Sequence, residues 1–340
     1  MGADNNKCFI IAEMSANHGG DIEVAKQTIL AAKQSGADAI KLQTYTADSI
    51  TLNIKNEYFK INEGTLWDGK YLYDLYKEAS LPWEWHKELF QLAEEEGLLC
   101  FSSPFDLTAV DFLEQFNPPY YKIASFEIND IPLITYAASK GRPMIISTGM
   151  GNEEDIQKAL NACYEVGNRS VTLLKCTSSY PAPVSAANLK TIPLLRDNFN
   201  VPVGLSDHTE GFIAPVVAVS LGATIIEKHF ILDRQMGGPD ASFSMEPQEF
   251  KYMVDRVREA ELALGEATFE IPSASIKNLK FRRSLFVSKD INEGELFTAN
   301  NVRSVRPSDG LAPEMYHSVI GRKANKNLNA GQPLKLIDIE

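Results

Sequence analysis

Residues 201–230 decide the fold. Val201-Pro-Val-Gly-Leu-Ser-Asp-His208-Thr209 is a short apolar run closing on polar residues and a histidine, and Thr224-Ile-Ile-Glu-Lys-His229-Phe230 repeats that arrangement. The apolar segment Phe212–Leu221 between them has the length of a helix. A strand, a crossover helix and a parallel strand bring both histidines to one edge of a sheet. The chain has 5 histidines, and two of them hold these matching places. With Asp207 and Glu227 close by, the pair predicts a divalent metal site on His208 and His229. Imidazoles completed by water and oxygen ligands suit Mn2+, Mg2+, Co2+ or Zn2+, and ligand type does not choose among them.

The same unit recurs outward from this stretch. Apolar runs at Cys8–Ala12, Ala39–Leu42, Leu98–Phe101, Tyr120–Ile123, Pro143–Ile146, Val171–Leu174, Val201–Leu205 and Thr224–Ile226 predict strands. Amphipathic stretches at Ile22–Gln34, Trp83–Glu96, Leu107–Phe116, Ile131–Ser139, Glu153–Val166, Ala186–Asp197, Phe212–Leu221 and Pro247–Leu264 predict the helices that follow. Gly36, Gly97, Gly141, Gly167 and Gly222 stand where C-terminal caps belong. Eight strand–helix units in about 250 residues predict an α/β fold of the (β/α)8 TIM-barrel type, with a doubly wound open sheet as the competing arrangement. The long insert Thr44–Leu81, aromatic-rich with Trp67, Tyr71, Tyr73 and Tyr76, follows the second strand on the expected functional face. The barrel is expected over residues 1–268 and a linker over 269–280. A small β-rich module is expected over 281–340, with strand-like pieces at Leu285–Val287, Leu296–Phe297 and Leu334–Ile337.

Composition sets the class. A chain of 340 residues with 44% hydrophobic residues can bury a large core. A net charge of −12 argues against nucleic acid as the main partner. No run approaches a membrane span and the N-terminus lacks a charged-then-apolar leader, so the expectation is no membrane partner and a cytoplasmic location. Cys8, Cys100, Cys163 and Cys176 lack metal-type spacing and read as buried hydrophobes in a reducing compartment. Residues 281–340 carry a net +2, which leaves −14 for the rest.

In such barrels chemistry sits at the C-terminal strand ends. Those ends carry Glu13, Asn17 and His18; Lys41 and Gln43; Ser102 and Ser103; Lys122, Ser125 and Glu127; Ser147 and Thr148; Thr177, Ser178 and Tyr180; Ser206, Asp207 and His208; and Glu227 and His229. A lone lysine here reads as a structural ion pair, and a lone serine as a backbone cap. Nearly every strand end carries a polar group, however. Together they describe a pocket for a small, multiply anionic molecule beside a metal. His18, in a loop, is the weaker ligand candidate; His86 and His317 read as structural.

These strand ends resemble the sialic acid synthases. The motifs are Glu13-Met-Ser-Ala-Asn-His-Gly-Gly20, Lys41-Leu-Gln43, Ser102-Ser-Pro-Phe105, Tyr121-Lys-Ile-Ala-Ser125, Ser147-Thr-Gly-Met150, Gly204-Leu-Ser-Asp-His-Thr209, Glu227-Lys-His-Phe230 and Gly238-Pro-Asp240. The tail, with Arg282-Arg-Ser-Leu285 and Val305-Arg-Pro307, is similar to that family's antifreeze-like (SAF) domain. The resemblance spans essentially the whole chain. The Glu13–Asn17 motif, the stretch from Gln43 to Leu52 and the segment from Leu66 to His86 look most like the pseudaminic acid synthase branch. Ser178 departs from the asparagine of the neuraminate synthases.

The resemblance implies condensation of phosphoenolpyruvate with an acetamido sugar, 2,4-diacetamido-2,4,6-trideoxy-L-altrose for this branch. The neuraminate and legionaminate precursors are the rivals. It implies that Lys41, Ser103 and Lys122 hold the phosphoenolpyruvate carboxylate and that Ser125, Ser147, Ser178 and Ser206 line its phosphate. His208 and His229 then hold the metal, with Glu13 as the acid/base or water-orienting group. Asn17, Gln43, Glu127, Tyr180, Asp240 and Arg306 fall to the sugar side. A domain-swapped homodimer is implied too, with Arg306 reaching the other subunit's sugar. Two other classes compete: a metal-dependent aldolase using pyruvate, which releases no phosphate, and a sugar-binding protein, which leaves the lysines and histidines without a purpose.

Overall fold

The computed structural model describes residues 7–340, so the first six residues of the expected barrel span and leader region lie outside it. Eight parallel strands close into a barrel: β1 (Phe9–Glu13), β2 (Ala39–Thr44), β3 (Leu99–Pro104), β4 (Tyr121–Ile123), β5 (Met144–Ser147), β6 (Val171–Cys176), β7 (Val203–Asp207) and β8 (Ile225–His229). Pairing of β1 with β8, from Phe9 opposite Ile225 to Glu13 opposite His229, closes the sheet and excludes the open one. The fold is a TIM barrel.

Alternation along the strands sorts side chains into two cores. Ile11, Ala39, Phe101, Ile145, Leu174 and Ile225 point inward and form an apolar floor inside the barrel. The alternate residues, among them Ile10, Ile40, Ile146, Leu173 and Ile226, pack under the helices. Gly204 points inward on β7. A Cβ there would stand 2.5 Å from the Ile225 carbonyl oxygen and 2.6 Å from Leu174, so the close approach of β7 to β8 requires glycine.

The helices start and stop where their end residues dictate. The Asp21 carboxylate caps Ile22–Gln34 by accepting from the Glu23 N–H. Asn152 and Asp155 form a capping box on Glu153–Glu165. Gly36, Gly97, Gly141, Gly167 and Gly222 all take positive φ after their helices, as expected.

The structure corrects several boundaries. Strands β2, β3, β6, β7 and β8 run two or three residues beyond their apolar runs. The helix expected from Ala186 begins at Thr191, after a 3-10 turn at Val184–Ala186. The insert carries short helices at Ala47–Ile50 and Leu72–Ala79. No helix among the described residues is long and apolar enough to cross a membrane.

The chain divides into two compact units, the first ending at Gly265 and the second running Glu266–Glu340. The second has its own core around Leu285, Phe297, Val302, Val319 and Leu334. Its regular strands are β9 (Ser284–Val287) and β10 (Val302–Val305), paired antiparallel. The expected strands at Leu296–Phe297 and Leu334–Ile337 are single bridges and a 3-10 turn instead.

Candidate active site

Above the apolar floor, the next inward register is charged. Parallel pairing sets Glu13 opposite Lys41 and Ser206 opposite Glu227. Lys41 forms a buried ion pair with Glu13 and donates to Ser103 Oγ at 3.3 Å. Lys122 donates to Ser147 Oγ at 2.8 Å and lies 3.5 Å from Glu227. Glu227 accepts from Ser206 Oγ at 3.0 Å and stands 4.0 Å from Lys41. Two acids and two bases thus alternate across the barrel mouth, each buried. Pairing is what makes such burial tolerable; removing one partner of such a pair costs about 3–5 kcal/mol.

Environment splits the two acids. Burial pushes the Glu13 carboxyl up to about 7, against the pull of Lys41. Burial works in the same sense on Glu227, but Lys122 and Lys41 outweigh it and hold that group below its ordinary value. The lysines split too. Burial holds Lys122 below its usual range despite Glu227, while for Lys41 the opposing pull of Glu13 and Glu227 wins.

The register opens into a cavity of about 420 Å³. From the barrel it is lined by Glu13, Lys41, Gln43, Lys122, Ser125, Glu127, Ser147, Tyr180, Ser206, Glu227, Asp240 and both histidines, so most sequence-predicted residues converge. Gln43 donates to Glu13 at 3.2 Å and to Ser15 Oγ at 3.0 Å, and Ser15 in turn donates to Asp240. Burial raises Asp240 above the usual carboxylate range, and lifts Glu127, one oxygen of which has no partner, to about 7.

Four residues expected to hold substrate do not line the cavity. The Asn17 amide donates to the Phe230 carbonyl and to Ser244 Oγ, tying the loop after β1 to the end of β8. Ser103 lies beneath Lys41, fully buried. Ser178 stands behind Ser125, with their hydroxyls 2.7 Å apart. Arg306 follows β10 in the second unit. Asp207, expected near the histidines, faces outward and pairs with buried Lys228 at 2.6 Å, because it falls on the other parity of β7. His18 bonds the Ala79 carbonyl and the Gly20 N–H, and His86 bonds Thr44 among phenylalanines; both are structural.

His208 and His229 meet with ring centroids 5.3 Å apart. His208 Nδ1 donates to the Thr177 carbonyl at 3.1 Å, which fixes the tautomer and leaves Nε2 free. Burial would lower its pKa, but the neighbouring Cys176 and Thr177 raise it. His229 is held well below its ordinary value by burial and by His208, and its Nδ1 is buried without a partner. Two imidazoles with unspent nitrogens fit a divalent cation. No cluster of three or more His, Cys, Asp or Glu side chains that could hold one occurs among the described residues, so water or substrate oxygens would complete the shell.

Sequence reasoning put the aromatic-rich insert on the functional face, where Trp67 and Tyr76 line the cavity, but missed its aliphatic wall of Ile50, Ile61, Leu72 and Leu75, and missed Cys176 as part of the lining. Alternation on β6 puts Cys176 inward in step with Leu174; the wall carries no periodic signal.

Residues 28–269 match the NeuB family and residues 282–340 the SAF domain. The chain is 51% identical to the pseudaminic acid synthase of Campylobacter jejuni subsp. jejuni serotype O:2 over 336 residues, covering 99% of this chain and 98% of that one. It is 49% identical to the pseudaminic acid synthase of Helicobacter pylori, covering 97% of each. Among solved structures it is similar to the spore coat polysaccharide biosynthesis protein of Bacillus subtilis, with TM-score 0.66, 32% identity, and 98% of this chain and 95% of that chain covered. With the closed barrel and its charged mouth, these matches place the chain in the NeuB family, with a SAF domain at its C-terminal end.

Proposed function

We propose that this chain is a pseudaminic acid synthase, which condenses phosphoenolpyruvate with 2,4-diacetamido-2,4,6-trideoxy-L-altrose and water to give pseudaminic acid and phosphate. The carrying observation is the buried Lys41–Glu227–Lys122 arc, with Ser147 and Ser206, at the floor of a cavity whose rim holds the histidine pair. Two lysines and a ring of hydroxyls suit a substrate with a carboxylate and a phosphate. The synthases of Campylobacter jejuni and Helicobacter pylori named above support the choice of sugar.

In the reaction, carbon 3 of the enol bonds to the sugar's aldehyde carbon and the aldehyde oxygen takes a proton. Water adds to carbon 2 and gives up a proton. The carbon 2–oxygen bond to phosphate then breaks: phosphate leaves with that bond's electrons, while the new hydroxyl forms the carbon 2 carbonyl and gives up its proton to the departing phosphate. Lys41 and Lys122 hold the anion at the floor. Glu13, raised to about 7, is suited to accept a proton from the attacking water near neutral pH. His208 and His229 would hold a divalent cation, Mn2+, Mg2+ or Co2+, which supplies Lewis-acid polarisation of the aldehyde when bound.

The reading includes a cytoplasmic enzyme acting as a homodimer, in which Arg306 meets the sugar held by the other subunit. The opposite net charges of the tail and the remainder support that arrangement.

The test is phosphate release from phosphoenolpyruvate with Mn2+ and three acceptors: the L-altrose derivative, N-acetylmannosamine and 2,4-diacetamido-2,4,6-trideoxymannose. Release with the altrose derivative, abolished by EDTA and restored by Mn2+, is expected. Turnover of N-acetylmannosamine alone overturns the sugar, and turnover unaffected by EDTA overturns the metal.

A further inference from the structure

The cavity has two chemically distinct halves. Its floor is ionic. Its outer wall comes from the insert after β2, as Ile50, Ile61, Trp67, Leu72 and Leu75. Ile61 and Trp67 belong to a hairpin-like turn closed by the Lys60–Tyr71 bridge, with the Ile61 N–H bonded to Lys70 O at 2.9 Å. Leu72 and Leu75 stand on the helix Leu72–Ala79. The polar groups that flank Ile61 and Leu72 on the turn are spent, while the hydroxyls of Tyr45 and Tyr76 line the cavity elsewhere on the insert side. Trp67 Nε1 donates to the Pro239 carbonyl at 3.0 Å, and Thr65 Oγ1 donates to Asp68 at 3.0 Å.

The wall lies within a short reach of the histidine pair. The Tyr180 ring is 4.4 Å from the His208 ring, and the Trp67 ring is 5.7 Å from Tyr180. Trp67 and the histidine pair thus stand on the two sides of Tyr180, within the length of a six-carbon sugar whose aldehyde lies at the histidines.

We propose that the insert forms an apolar subsite, with Ile61, Trp67 and Leu72 as specificity-determining residues, that takes the methyl-bearing end of a 6-deoxy sugar and disfavours a hydroxymethyl group in its place. The inference rests on the acceptor assignment above and deepens it. A hydroxyl buried against these side chains gives up its water without finding a partner. An apolar pocket of this kind discriminates against an added hydroxyl by about 10²-fold.

The experiment uses the full chain, phosphoenolpyruvate, Mn2+ and two acceptors that differ in one atom: 2,4-diacetamido-2,4,6-trideoxy-L-altrose and its 6-hydroxy counterpart. Wild type is expected to favour the deoxy sugar in kcat/KM by about 10²-fold. Leu72→Asn and Ile61→Thr are expected to narrow the ratio to below about 10-fold, while Leu72→Met keeps it. Thermal melts identify any variant that fails to fold; Ile61→Thr and Trp67→Leu carry the test if Leu72→Asn does. Equal turnover of both altrose acceptors by wild type overturns the subsite and leaves the acceptor assignment standing. So does a ratio unchanged in the polar variants that melt like wild type. Turnover of N-acetylmannosamine with neither altrose acceptor overturns the assignment and the subsite together.

Discussion

Glu127 keeps one carboxylate oxygen buried and without a hydrogen-bond partner, while Glu13 and Glu227 in the same cavity are ion-paired with lysines. Burial raises it from 4.5 to about 7, with Lys122 only partly opposing. The folded state therefore binds this proton more tightly than the unfolded chain does. Its contribution to stability is fully present below pH 4.5 and declines as pH rises to about 7, where the buried charge is only partly compensated. Glu127→Gln should match wild type in unfolding free energy at pH 4 and exceed it at pH 8, by up to about 3 kcal/mol. The same variant should lose turnover, because the carboxyl lines the cavity. Equal differences at the two pH values, measured by calorimetry, would defeat this account of Glu127. A partnerless carboxyl is invisible in sequence, since it depends on which neighbours the fold fails to supply.

Strands tell a different story at the scale of elements. Each apolar run marked a real strand, yet the runs stopped short because inward residues at the mouth are polar. Ser206, Glu227 and His229 continue β7 and β8 in sheet register although they break the apolar pattern. Strand existence was thus legible from the continuous apolar runs, while strand ends were masked by function. The same parity explains Asp207. It adjoined His208 in sequence, but a one-residue step turned it to the outer face and onto Lys228. The tail was less legible, since its pairing is mostly single bridges between turns, which leave no alternating run. Gly204 tests the barrel's internal packing. Gly204→Ala forces a methyl against the Ile225 carbonyl and Leu174. It should cost about 1–3 kcal/mol and lower the melting temperature by about 2–4 °C per kcal/mol. An unchanged melt would show that β7 and β8 separate more easily than their register implies.

At the scale of the whole molecule, each of the two units carries its own hydrophobic core: the large one within the barrel unit, and the small one around Leu285, Phe297 and Val302 in Glu266–Glu340. The β1–β8 pairing closes the barrel within residues 9–229, and no strand of the second unit joins it. The barrel is therefore expected to fold without the tail. The ionic floor likewise draws every group from the barrel unit. Binding of phosphoenolpyruvate should then survive removal of the tail, whereas turnover should not if Arg306 contacts the sugar. A chain ending at Gly265 is expected to melt cooperatively and to bind phosphoenolpyruvate in a calorimetric titration near the full-length affinity. Its kcat/KM for the sugar should fall by about 10²-fold or more, the scale of losing a charged positioning group. Arg306→Ala in the full chain should reproduce most of that loss while leaving the full chain's melt unchanged. Full turnover by the truncated chain would remove Arg306 from the site, and a truncated chain that fails to melt cooperatively would show that the barrel's stability draws on the tail after all.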